Sequence, residues 1–215
     1  MIWTIRPGNR LVIRPHPCMG DHIICNGLYR YLARKWEVTV LAVSKNVKFV
    51  KMMLDDAPIN VIEVGREWDM DDYANRTPHA SILRLGFCSE EPFNRWHFDM
   101  EWYRQAGVPF ENRWTNWKMP EITQVPLPDK PYAFVHDRPD MFGAAIGPIP
   151  NEVRPDSVQP IFAYRDLIKG ASEVHCVSSR FAAFADCFDL GGKPLFFYAF
   201  GRETPAHRNQ WQYMN

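Results

Sequence analysis

Long apolar runs are missing from this 215-residue chain. None approaches the ~18 to 20 residues that a membrane span needs, and the opening MIWTIRPGNR lacks the apolar centre of a signal peptide. A cytoplasmic protein is expected. Cysteine is scarce: Cys18, Cys25, Cys88, Cys176 and Cys187 are odd in number and form no C-x-x-C pair, so neither a disulfide framework nor a zinc knuckle is indicated. Net charge is absent too, since 25 Lys/Arg balance 25 Asp/Glu, which argues against strong non-specific attraction to nucleic acid. No P-loop, H-E-x-x-H, kinase set or G-x-S-x-G is found, and GGKP carries only a fragment of a phosphate loop. The seven histidines are scattered without metal spacing. The nearest imitation of a D-x-D motif, Asp69-Met70-Asp71, reads as a solvated acidic turn, so no metal is expected.

What is present is ordinary for a globular protein: 46% apolar and 23% charged residues, enough chain for one domain or two small lobes. The charge is uneven. Residues 1–51 hold nine Lys/Arg against Asp21 and Glu37, whereas residues 52–101 hold four Arg against eleven acids. Either a basic and an acidic face result, or the two segments neighbour and neutralise each other.

Alternation along the chain gives the fold class. RLVIRP, EVTVLAV and INVIEV are short β-branched runs separated by helical patterns over 21–35 and 47–54, the signature of parallel βαβ units. A further strand near Ile82–Leu85 and a helix over Phe98–Ala106 are expected, although residues 66–120 mix aromatics, charges and turn formers. KMPEITQVPLPDKPY carries four prolines in twelve residues and resists helix, so the lobe boundary falls there. The pattern then restarts with YAFVH as strand, IFAYRDLIKGA as helix, SEVHCVS as strand, SRFAAFADCFDL as helix and KPLFFYAF as strand. The expected architecture is α/β, with a Rossmann-like lobe over 1–120, a second over 121–202 and a cleft between them. Trp211 and Tyr213 anchor a tail, 203–215, expected to pack back on the first lobe.

Ligands of open α/β sheets lie at the carboxyl ends of the strands, where helix N-termini attract anions. Three places fit. In HPCMGDH, Gly20 allows close approach and Asp21 is either a helix cap or a cleft-facing acid; His22 and Asn26 follow on the same helix as candidates for the acceptor side. In VHDRPD, Arg138 offers a bidentate fork for phosphate and His136 a hydrogen bond, unless the segment is merely a turn closed by Asp137 and Asp140. In VHCVSSRF, Ser178 and Ser179 stand between a strand and a helix, where hydroxyls and amides can cradle a phosphate or Ser simply caps. His175 reads as a core histidine. Trp96, Trp102, Trp114 and Trp117 either pack or stack on a sugar or base.

The order strand, Met-Gly-Asp, helix, strand resembles the N-terminal motif of the heptosyltransferase family of GT-B glycosyltransferases. EVHCVSSRFAAFAD is similar to the donor-diphosphate helix start of that superfamily, and FVHDRPD to the His-x-Arg element of GT-B fucosyltransferases. FFYAFGR before a Trp-containing tail resembles small glycosyltransferase-like proteins of bacteria and their viruses. The likeness spans about 10–45 and 132–202. It departs at Ser179 and Phe181, which stand where heptosyltransferases carry Gly and His, and the chain is shorter than the family's norm.

The resemblance implies a minimal GT-B-like glycosyltransferase without a metal or other cofactor. Asp21 would be the general base on the acceptor hydroxyl. His136, Arg138, Ser178, Ser179 and Arg202 would hold the donor, a nucleotide sugar bound as substrate. A glycan or a hydroxymethylated DNA base would be the acceptor. Its rivals are a sugar-nucleotide epimerase or hydrolase on the same scaffold, and a binding subunit that has lost catalysis.

Overall fold

The computed structural model describes residues 3–86, 97–142, 145–156, 158–200, 205 and 207–214. The chain divides into two compact units, Met1–Pro120 and Glu121–Asn215. Each is a mainly parallel sheet with helices between its strands, of the Rossmann-like α/β kind.

The first unit runs β1 (Trp3–Thr4), β2 (Arg10–Arg14), α1 (Met19–Leu32), β3 (Glu37–Val43), α2 (Ser44–Leu54), β4 (Ile59–Val64), α3 (Glu67–Asn75), β5 (Ser81–Arg84), α4 (Phe98–Ala106) and α5 (Asn112–Thr115). Its sheet has the order β1-β5-β2-β3-β4, parallel throughout except where β1 meets β5. Leu11 pairs with Val38 on one side and Ser81 on the other, so β2 is central and buried on both faces from Leu11 to Arg14. That burial explains the continuous apolar run of β2, where an alternating pattern would mark a half-exposed strand.

Helix α1 buries ten of its fourteen residues, too many for a helix with one face in water. Its outer side is covered by the aromatic residues of α4. The Tyr103 hydroxyl donates to the Ile24 carbonyl at 2.9 Å and accepts from the Leu28 amide at 3.2 Å. Trp102 is buried as well. Each such side chain contributes about 1.5–3 kcal/mol relative to an exposed one. The acidic and basic segments neutralise each other in part: Arg14 meets Glu67 and Asp71, and Arg30 meets Asp56, while Arg84 meets Asp71 within the acidic segment itself. The expected acidic turn at Asp69–Asp71 is instead inside α3, started by the Asp69 carboxylate accepting from the Arg66 amide at 2.8 Å.

The second unit runs β6 (Ala133–His136), α6 (Pro139–Phe142), β7 (Glu152–Val153), a 3-10 turn (Ile161–Tyr164), α7 (Arg165–Gly170), β8 (Glu173–Val177), α8 (Arg180–Ala185), β9 (Leu195–Tyr198) and β10 (Gln212–Met214). The sheet order is β10-β9-β8-β6-β7, all parallel. Phe134, Phe162, Phe181, Phe184 and Phe197 form much of its interior. The helix expected to reach Leu190 stops at Ala185.

Residues 212–214 correct the expected course of the tail: they add a parallel edge strand to β9 in the second sheet. The cause is Asp186, wholly buried, whose carboxylate accepts from the backbone amides of Arg208 and Asn209 and from the Trp211 indole at 2.8 to 3.2 Å. A buried carboxylate needs such donors, and here the tail supplies them. No helix among the described residues is long and apolar enough to cross a membrane.

Gly27 tests the packing of α1. In a helix interior Ala is ordinarily favoured over Gly by about 0.5–1 kcal/mol. A Cβ at Gly27, however, would run into the Asn112 carbonyl oxygen. Overpacking therefore outweighs propensity, and Gly27→Ala should lose about 1–3 kcal/mol and lower Tm by several degrees in a thermal melt. An unchanged or raised Tm would contradict this packing.

Candidate functional site

In the first unit the chain leaves β2 toward β3 on one side, through α1, and later places β5 on the other. The carboxyl end of β2 is thus the point where strand order reverses, which is where open α/β sheets bind ligands. The loop there reads Pro15-His16-Pro17-Cys18. Two prolines restrict its backbone, and the residue before each is held extended. Buried Arg14 and Asn46 tie it down by donating to the Pro15 and Pro17 carbonyls at 3.1 and 2.7 Å.

Cys18 is the N-cap residue of α1, so Asp21 stands at the third helical position and is not the cap. Its carboxylate meets His16 instead: Nδ1 and Oδ2 are 2.5 Å apart. The imidazole stacks on Trp102, with ring centroids 6.4 Å apart, and the backbone of Gly86 passes close by. At Gly86 φ is +83°, and a Cβ would come within 3.2 Å of the His16 Cβ, so glycine is needed twice over. The hydrogen bond to Asp21, aided by one to Cys18, raises the His16 pKa to about 10. His16 is therefore an imidazolium at neutral pH. His16 has 44% of its side chain exposed and Asp21 14%, so both remain within reach of solvent.

The companions expected for Asp21 are placed differently. Gly20 lies in the ordinary first turn of α1. His22 is wholly buried, its Nδ1 3.2 Å from the Tyr29 hydroxyl, and burial lowers its pKa to about 3. Asn26 is also wholly buried; its Oδ1 accepts from the Arg30 guanidinium at 2.7 Å. Both present themselves to the core, because successive turns of a helix covered on two sides have no free face. His16 was the residue that sequence reasoning missed here. Its signal was the pair of flanking prolines, which present a side chain at a strand end on a stiff loop. His16, Cys18 and Asp21 also form the one group of metal-capable side chains found among the described residues, their ligand atoms all within 4.8 Å.

In the second unit β6 lies between β7 and β8, so its carboxyl end, His136, is again a point of reversal. His136 Nδ1 is 3.0 Å from Ser179 Oγ. Ser179 caps α8 by accepting from the Ala182 amide at 3.5 Å. Burial, then the nearby Arg180 and Arg138, lowers the His136 pKa to about 4. Arg138 makes a bidentate pair with Asp140 at 2.8 Å on the surface. The Ser178 amide donates to the Tyr198 carbonyl at 3.3 Å. Asp137 is taken by Arg154 at 2.8 Å and by the Ile146 amide. Arg202 lies outside the described residues.

Arg180, the first residue of α8, was not singled out in the sequence because an Arg after a Ser cap looks like a solvated helix start. It is half-buried, over the Phe181 ring at 5.6 Å. Its pKa is lowered first by burial and then by Arg138. His136, Ser179, Arg180 and the Arg138–Asp140 pair thus stand at one strand end, where the Arg180 guanidinium is a group able to bind an anion. His175, expected in the core, is buried against Phe196 with its Nδ1 3.1 Å from the Tyr198 hydroxyl.

No family model matches the chain, and no curated relative does. Among solved structures it is similar to TibC, described as a bacterial iron-containing dodecameric glycosyltransferase from enterotoxigenic E. coli H10407. The TM-score is 0.56 at 13% identity over 91% of this chain. The chain spans 59% of the length of that neighbour, and at this identity the likeness is one of fold.

Because His136 is kept neutral by burial and by neighbouring guanidinium groups, its imidazole resonances should titrate with a midpoint below about 5. The sign follows for stability: an unfolded His takes up its proton near 6.5, so stability is lost as pH falls below that value toward the folded midpoint near 4. NMR titration of His136 checks both; a midpoint at or above 6.5 would contradict the buried, cation-flanked position.

Proposed function

We propose that the chain is a glycosyltransferase that moves a sugar from a nucleotide-sugar donor to an acceptor hydroxyl. The observation that carries the reading is the cluster at the carboxyl end of β6, where half-buried Arg180 and the Arg138–Asp140 pair stand beside Ser179 and neutral His136. A diphosphate that engages Arg180, and Arg138 in exchange for its Asp140 partner, gains charge-assisted hydrogen bonds of about 1.5–3 kcal/mol each. Those fixed charges also oppose the negative charge that grows on the leaving nucleoside diphosphate, so no diphosphate-bound metal is required. Ser178 and Arg202 belong to the same donor site in this reading. The fold likeness to a glycosyltransferase supports the assignment at the level of the scaffold.

At the first strand end, Asp21 is the base. As the acceptor oxygen attacks the anomeric carbon, Asp21 takes the hydroxyl proton, and His16, held 2.5 Å away, stabilises the carboxylate and aims it. The acceptor is a glycan or a hydroxymethylated base in DNA, and the setting is the cytoplasm.

Asp21→Asn keeps shape and removes the proton acceptor, so sugar transfer from a radiolabelled nucleotide sugar should fall by about 10² to 10⁴ while nucleotide affinity and Tm stay near wild type. Arg180→Ala should do the reverse, weakening nucleoside diphosphate binding by about ten- to a hundredfold in calorimetry. A fully active Asp21→Asn protein would defeat the base assignment, and unchanged nucleotide affinity in a folded Arg180→Ala protein would defeat the donor site.

A further inference from the structure

We propose that His16, Cys18 and Asp21 form a binding site for a thiophilic divalent cation of the Zn²⁺ class, with a fourth coordination position open to solvent. The site is an alternative occupancy of the same strand end, since with an ion bound Asp21 and His16 are ligands and the carboxylate is not free to take a proton; its test therefore reads binding and not sugar transfer.

Three observations converge on it. The ligand atoms of the three side chains, one imidazole nitrogen, one thiol sulfur and one carboxylate oxygen, all lie within 4.8 Å of one another. The donor set is chemically selective: nitrogen, sulfur and oxygen together suit Zn²⁺, whereas Mg²⁺ and Ca²⁺ take oxygen ligands. Three protein ligands with one open position is the composition of a reactive or exchangeable zinc centre, since closed structural sites use four.

The backbone that carries the ligands is held in place before any ion arrives. Pro15 and Pro17 flank His16, the Arg14 and Asn46 side chains grip the two proline carbonyls, and Gly86 and Trp102 pack on the imidazole. Cys18 is extended at φ −84°, ψ 145°, and Asp21 sits on the first turn of a fourteen-residue helix. Such preorganisation lowers the ordering cost of binding. Only a short movement is needed. His16 and Asp21 are 2.5 Å apart across a hydrogen bond, and an ion replacing that proton opens them to about 3.3 Å, the separation of two tetrahedral ligands at roughly 2.0–2.1 Å. Cys18 is exposed and its sulfur accessible, whereas Cys25 and Cys176 are buried in the two cores.

The test titrates chelator-stripped full-length protein with Zn²⁺ by calorimetry and with Co²⁺ by absorption spectroscopy. Binding of one ion per chain is expected, with a thiolate-to-cobalt charge-transfer band in the near ultraviolet. Cys18→Ser should abolish that band and weaken Zn²⁺ binding by about tenfold or more, and His16→Ala should weaken it comparably, both with wild-type circular dichroism. No saturable binding by the wild type would overturn the site, as would a Cys18→Ser protein that keeps the band and the affinity.

Discussion

A parallel strand can be followed by another parallel strand only if the chain crosses back over a face of the sheet, so the carboxyl ends of all the strands gather along one edge. That constraint governs both units. The crossovers cover the faces and the central strands become largely apolar on both sides. Where two crossovers depart in opposite directions, the loop between them is left uncovered. In the first unit that loop follows β2 and holds His16, Cys18 and Asp21; in the second it follows β6 and holds His136 and Arg138. The chemistry of the protein is located by topology before any side chain is chosen.

The two strand ends are then given different electrostatic character. Asp21 is matched by His16, giving a pair with no net charge and a carboxylate whose direction is set. At β6 Asp137 is paired with Arg154 and Asp140 with Arg138, and Arg180 adds a further cation held partly out of water. A positioned carboxylate suits proton removal, and a guanidinium held partly out of water suits a diphosphate. Neither unit supplies both functions, which is why the reading assigns them to two substrates.

Much of this was legible in the sequence where local pattern decides structure. RLVIRP, EVTVLAV and INVIEV became β2, β3 and β4, and Phe98–Ala106 became α4 with those bounds, because apolar burial and helical period are written in neighbouring residues. What was not legible depends on distant partners. Asp69-Met70-Asp71 reads as a turn, but it lies inside a helix where Asp71 is paired with Arg14 and Arg84 from other strands. The tail has an exposed three-residue strand with no period of its own, and its place is decided by the carboxylate of Asp186, 25 residues before Trp211. Asp21 was singled out for its place at a strand–helix joint, whereas its partner His16 carries no helical or strand period and is marked only by the prolines on either side. Helix α1 read as amphipathic, but cover on its outer side by Tyr103 and its neighbours turned His22 and Asn26 inward.

The central claim is that the carboxyl end of β6 receives the diphosphate of a nucleotide sugar. It is tested most directly by following backbone amide resonances of isotope-labelled protein while nucleoside diphosphates are added. The account predicts saturable shifts concentrated at His136–Arg138 and Ser178–Arg180, with the opposite ends of the same strands, around Tyr132 and Glu173, unmoved. Saturable shifts that avoid 136–138 and 178–180, or none with ADP, GDP, UDP or CDP, would contradict it.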